Sequence, residues 1–182
     1  MWRTVPLSFG IRRKASWSSS EQIEQTNKFE FMETVVQLNV NAKLSEHFVL
    51  GEFTKSGSHP EVYNIPSHEA IANLKRLCGW LEVLRERSGT PIRINSGYRS
   101  PQLNRKIGGA ATSNHLTGCA VDIKVSGIEQ ALRYAVILMD YSDESHQEFD
   151  ELLIEKNRYG AIWLHFAVRP KDNRRKVMFI NA

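Results

Sequence analysis

Between residues 67 and 87 the apolar side chains Ile71, Leu74, Leu77, Cys78, Leu81 and Leu84 recur three and four positions apart, the spacing that lines one side of an α-helix. Pro66 precedes this segment, Ser67 stands where a capping hydroxyl belongs, and Gly89 follows as a stop. Its other side carries Lys75, Arg76, Glu82, Arg85 and Glu86, a solvated surface that makes the helix a structural wall. Residues 91–95 then read as a strand, Ser96-Gly97-Tyr98-Arg99-Ser100-Pro101 as a turn into a short helix, and residues 108–113 as a loop of small side chains. Residues 120–125 alternate Val121 and Ile123 against Asp122 and Lys124, a half-buried strand. A helix is expected over 128–139, strands over 151–155 and 161–168, and a last short strand over 177–180. In the 161–168 segment, period two puts Ile162, Leu164, Phe166 and Val168 on a core face, with Trp163 and His165 on a face that can wall a pocket.

These elements mix without the regular alternation of a doubly wound fold. The expectation is therefore a single α+β domain: a small antiparallel sheet flanked by helices. Residues 1–40 mix Ser, Gln, Asn and charges without sustained periodicity and read as an irregular N-terminal extension, leaving 41–182 as the domain. The segment Leu44-Ser45-Glu46-His47-Phe48 and the following Gly51-Glu52-Phe53 form an irregular or helical lead-in.

Composition adds limits. A hydrophobic content of 41% and a charged content of 24% are those of a globular protein that can bury a core. The net charge of +4 would suit an anionic partner. However, its clusters, Arg12 to Lys14 and Arg169, Lys171, Arg174, Arg175 and Lys176, have no interleaved aromatic platform. They read as solvated surface, and nucleic acid is not an expected partner. No apolar run approaches the roughly 20 residues of a membrane span. Cys78 and Cys119 alone cannot build a disulfide framework and read as buried small hydrophobes. Residues 1–10 lack the apolar stretch and cleavage site of a secretory signal. The sequence is compatible both with a cytoplasmic and with an exported protein; a monomer is the default.

The chemistry-bearing positions are few. His115 and His165 lie beside expected strands, and Asp122 follows His115 by seven residues, with Gly118 between them to allow a tight reversal. A loop His, a strand Asp and a second strand His can meet on one metal, as catalytic zinc sites require. Taken singly, each has another reading: a hydrogen-bonded core histidine, or a satisfied strand-end carboxylate.

Read together, Ser96-Gly97-Tyr98-Arg99-Ser100-Pro101, Asn104, Gly108-Gly109-Ala110, Ser113-x-His115-x-x-Gly118-x-Ala120-x-Asp122 and Trp163-x-His165 resemble the zinc D-Ala-D-Ala carboxypeptidase family, M15. The opening at Leu44 is similar to that of its short, phage-associated subgroup. The resemblance covers roughly residues 44–168 and implies one Zn2+ per chain, held by His115, Asp122 and His165. It implies that Arg99 binds a substrate carboxylate or polarised carbonyl, against the alternative of an ordinary salt bridge. Ser113 is a substrate contact or a loop-capping hydroxyl, Trp163 a substrate-facing wall, and Tyr98 packing.

Peptide hydrolysis at such a site also needs a base to take the proton of water and pass it to the leaving amine. Many relatives carry Glu or His two or three residues before the last ligand, where this chain has Ile162 and Trp163. The short subgroup has an acid at the end of the preceding strand instead, and Glu155 matches it; Asp150 and Glu151 are alternatives, and a solvated carboxylate is the other reading. The implied activity is hydrolysis of amide bonds in peptidoglycan stem or crosslink peptides, as carboxypeptidase or endopeptidase. The alternatives are a non-catalytic zinc-containing wall-peptide-binding module and a phage-related structural protein.

Overall fold

The computed structural model describes residues 38–181; the expected extension over 1–40 falls outside the described residues except for its last three positions. After the short helix α1, Leu50–Thr54, comes the long helix α2, His68–Ser88, on which the hydrophobic stripe predicted its face. Ser67 caps it by accepting from Ala70 N–H at 3.1 Å, and Gly89 ends it in the left-handed region, φ 66°. Of the predicted stripe, Leu74, Leu77, Cys78, Leu81 and Leu84 are buried while Ile71 is only half-buried, and α2 also buries Ala70, Asn73 and Trp80. The Trp80 ring meets Tyr141, Phe166 and Phe149 at centroid distances of 4.8, 5.4 and 6.4 Å, a non-local cluster that no spacing rule announces.

The remaining elements are β1 (Ile94–Ser96), α3 (Pro101–Lys106), a single 3₁₀ turn (Asn114–Thr117), β2 (Ala120–Lys124), α4 (Ile128–Ser145), β3 (Glu151–Lys156), β4 (Ile162–Ala167) and β5 (Lys176–Asn181). Helix α4 runs past the expected end at 139, because nothing in 140–145 breaks it until His146 turns left-handed at φ 55°. Pairing of β1 begins at Ile94 rather than at Pro91, and an irregularity between Ile94 and Ser96 brings Ser96 opposite Asp122.

The fold is α+β: helices packed on a five-stranded sheet of order β1-β2-β4-β3-β5. The first four strands are antiparallel, as expected, but β5 joins β3 in parallel, so the whole sheet is mixed. Strand β4 returns the chain to the end where β3 starts, and the segment 168–175 carries it past β3 at that end to begin β5. Alternation sends Val121, Ile123, Leu152, Ile154, Leu164 and Phe166 to the helix side, where all are nearly or fully buried. Asp122, Leu153 and His165 form one cross-strand row on the opposite face. Cys78 and Cys119 are both buried as unpaired thiols, and burial pushes Cys78 up to about 12. Among the described residues no helix is long and apolar enough to cross a membrane.

Candidate metal site

His115 reaches the site through the 3₁₀ turn. Ser113 Oγ accepts from His115 N–H at 3.3 Å, and Gly118 closes the turn at φ 71°. A Cβ on Gly118 would lie 2.5 Å from Ala70 O, so the reversal expected between His115 and Asp122 requires glycine for space as well as for backbone angle. The ring is oriented by Gly97, whose carbonyl accepts from His115 Nδ1 at 2.6 Å. That bond places the proton on Nδ1 and leaves the Nε2 lone pair pointing at Asp122 Oδ1, 3.2 Å away.

Asp122 and His165 face each other across β2 and β4, with His165 Nδ1 2.9 Å from the same Oδ1. One donor atom from each of His115, Asp122 and His165 lies within 4.8 Å of the others, and all three residues are buried. Burial opposes the Asp122 carboxylate, but the neighbouring His115 and His165 outweigh it and hold the group well below the usual carboxylate range. Burial likewise opposes the His165 imidazolium, while Asp122 and Glu151 raise its pKa to about 9. Two imidazole nitrogens and one carboxylate oxygen, all buried, are a donor set that could hold a metal ion.

The surrounding groups are just as ordered. Arg99 Nη2 donates to Asp122 Oδ2 at 2.5 Å and its Nε to Ser96 Oγ at 2.9 Å. The turn that carries Arg99 is clamped by Asn64, which donates to Thr54 O and Tyr98 O and accepts from Ser100 N–H. The salt-bridge reading of Arg99 is therefore what the geometry displays, with the bridge aimed at a candidate ligand. Ser113 acts as the loop cap and also lines the cleft, and Trp163 forms part of the cleft wall. That cleft has a volume of about 720 Å3 and includes Arg99, His115, Asp122, Glu151, Glu155 and His165 in its lining.

Three carboxylates were candidates for the base, and their environments separate them. Asp150 is fully buried and accepts from Arg174, Asn114 and the Arg174 backbone, so it is committed to holding loops together. Glu151 approaches His165 Nε2 at 3.5 Å, accepts from Asn114 and pairs with Arg174 and Lys176. The His165 contact first, with help from Asn114 and Arg174 against burial, keeps its carboxyl low, at about 2. Glu155 stands opposite Trp163 on the cleft face, and burial, with Asp122 adding to it, raises its pKa. Paired carboxylates pushed in opposite directions are a signature of divided roles.

The basic cluster expected to be solvated surface is corrected in part. Arg169 and Arg174 line the cleft and pair with the buried Asp150. Sequence inspection had no signal for this, because their partners Asn114, Asp150 and Glu151 come from other elements. Asn114 and Asn64 were missed for the same reason.

An α+β domain with a buried, convergent His-Asp-His cluster at the bottom of a polar cleft has the form of a metal-dependent hydrolase. The family model for Peptidase M15 matches residues 46–149, and the chain belongs to that peptidase family, whose members are typically zinc-dependent. The matched stretch includes His115 and Asp122; the fold adds His165, Glu151 and Glu155 from beyond it. No match is found among curated proteins.

Proposed function

We propose that the protein is a zinc peptidase that hydrolyses amide bonds in peptidoglycan stem or crosslink peptides, and that it belongs to the short, phage-associated part of its family. The carrying observation is the convergence of His115 Nε2, Asp122 Oδ1 and His165 Nδ1 in a cleft that also contains a carboxylate of raised pKa. The donor set fits zinc, with His115 fixed by Gly97 and His165 by Glu151. When bound, the ion supplies Lewis acidity toward the scissile carbonyl and acidifies a water.

The chain's own groups do the rest. Glu155 takes the proton from the attacking water and returns it to the leaving amine, a role suited to a carboxyl whose pKa burial has moved toward neutrality. Glu151 stays ionised beside its cationic partners and holds the His165 ring in one orientation. Arg99 holds Asp122 Oδ2, so that Oδ1 faces the ligand cluster, and its remaining N–H groups are placed to stabilise negative charge developing on the substrate oxygen. Trp163 and Ser113 line the path of the peptide.

Metal analysis of the purified full chain, beside His115→Ala and Asp122→Ala, combined with peptide release from purified peptidoglycan, tests this reading. One zinc per chain, lost in both variants together with peptide release, is the expected result. Zinc without peptide release would leave a wall-peptide-binding module, and absence of zinc would sink the proposal.

A further inference from the structure

Three arginines line the cleft, and their commitments differ. Arg99 is engaged at Nε and Nη2 by Ser96 and Asp122. Arg174 is engaged at Nε and Nη2 by Asp150, and Nη2 also lies 2.8 Å from Glu151. Arg169 is held from one side only: its Nε donates to Asn114 Oδ1 at 3.0 Å and lies 3.0 Å from Asp150 Oδ2. Among the described residues no hydrogen bond is formed by either of its terminal nitrogens. Its anchors are buried, Asp150 at 0% and Asn114 at 8% exposure, while its own side chain is 32% exposed.

Arg169 also stands at a junction. With Thr112, Ser113 and Asn114 it lines both the main cleft and an adjoining cavity of about 420 Å3. A peptide lying over the ligand cluster and running past Ser113 would enter that second cavity beside the open end of this guanidinium.

The geometry points to Arg169 as a carboxylate-binding site, a two-pronged receptor for an anionic group carried by the peptide substrate. This inference rests on reading the cleft as a peptide site. A guanidinium with both terminal nitrogens uncommitted matches the two oxygens of a carboxylate. Anchoring Nε on a buried carboxylate orders the side chain before the ligand arrives, which lowers the cost of binding. Charge favours the same class of ligand: three guanidiniums in the cleft meet four carboxylates, Asp122, Glu151, Glu155 and the buried Asp150, so a divalent cation held there leaves the site net positive. His165 and Arg169 line the same cleft, and Arg169 also lines the adjoining cavity, so the recognised carboxylate is one carried by a peptide that lies across both.

The test compares a cell-wall stem pentapeptide with free carboxylates against the same peptide with its carboxylates converted to primary amides. Both are titrated calorimetrically into the zinc-loaded full chain carrying Glu155→Gln to slow turnover. The acid form is expected to bind at least about tenfold more tightly, the effect of a hydrogen-bonded charge pair. Adding Arg169→Ala should remove the difference. Arg169→Lys keeps a cation beside Asp150 but lacks the fork, and should retain only part of it, with unchanged circular dichroism and zinc content. Equal affinities for the two peptides before any change at Arg169, or a preference that survives both substitutions, would overturn the assignment. Peptide release by the unsubstituted protein is read separately. Preference without cleavage keeps the carboxylate site and removes the peptidase reading, and cleavage without preference does the reverse.

Discussion

Two glutamates on one strand show how far a residue's surroundings decide its chemistry. Glu151 and Glu155 both point to the cleft face of β3, either side of Leu153. The first is surrounded by His165, Asn114, Arg174 and Lys176; the second is half-buried opposite Trp163 with the Asp122 charge acting on it. In metal-free protein, a carboxyl NMR titration should therefore find Glu155 above the ordinary value of 4.5 and Glu151 near 2. A Glu155 midpoint at or below 4.5 would contradict the environment described. Glu155→Gln should lower peptide release by about 100-fold or more while zinc content stays at the wild-type level, because the substitution removes the base and leaves the ligands. Retained activity would shift the role to another group. A sequence reading reached Glu155 through resemblance and strand position, yet could not rank it physically above Asp150 and Glu151, since the arginines that occupy those two arrive from after β4.

At the scale of elements, two connections control where the ligands sit. The turn Asn114–Thr117 depends on Gly118, at φ 71° with Ala70 O where a Cβ would go. Gly118→Ala should destabilise the fold by about 2 kcal/mol or more, combining left-handed strain with overlap, and should weaken zinc binding by moving His115. Denaturant midpoints and metal titration check both effects. The connection from β4 to β5 is tied down by Asp150, which collects Arg174, Arg169 and Asn114. Asp150→Asn should cost about 2 kcal/mol, the scale of hydrogen bonds to a charged group, read as a lower midpoint at unchanged m-value. An unchanged midpoint would mean that the partly exposed arginines find equivalent partners in water. The glycine was visible in the sequence because one residue type answers a backbone need. The Asp150 hub was not, because its partners are united only when the strands pair.

For the whole molecule, the sheet is a divider: helices α2 and α4 bury its one face around Trp80, and the other face carries the ligand row. A ligand set spread over the 3₁₀ turn, β2 and β4 couples metal binding to folding, since those segments meet only in the native state. Zinc at 100 times its dissociation constant should add about 2.7 kcal/mol of stability, roughly 5–10 °C in melting temperature for a domain of this size. Chelator should reverse the gain. His115→Ala should show no difference between the two conditions; a persistent zinc-dependent shift in that variant would place the ion elsewhere.

Local periodicity was enough to find α2, the alternating strands β2 and β4 and the α+β class, because those signals lie within a few residues of one another. The pattern of His115, Gly118, Asp122 and His165 pointed by resemblance to a metal site for the same reason: three of its members lie on one short stretch. The tertiary structure alone decided that β5 joins in parallel, that Trp80 is the centre of the core, that Arg99 turns to Asp122, and that Arg169 is left with an open fork over the cleft. Each of these depends on side chains brought together from distant positions by strand pairing and burial, and a linear pattern carries no record of which distant partner a group will meet.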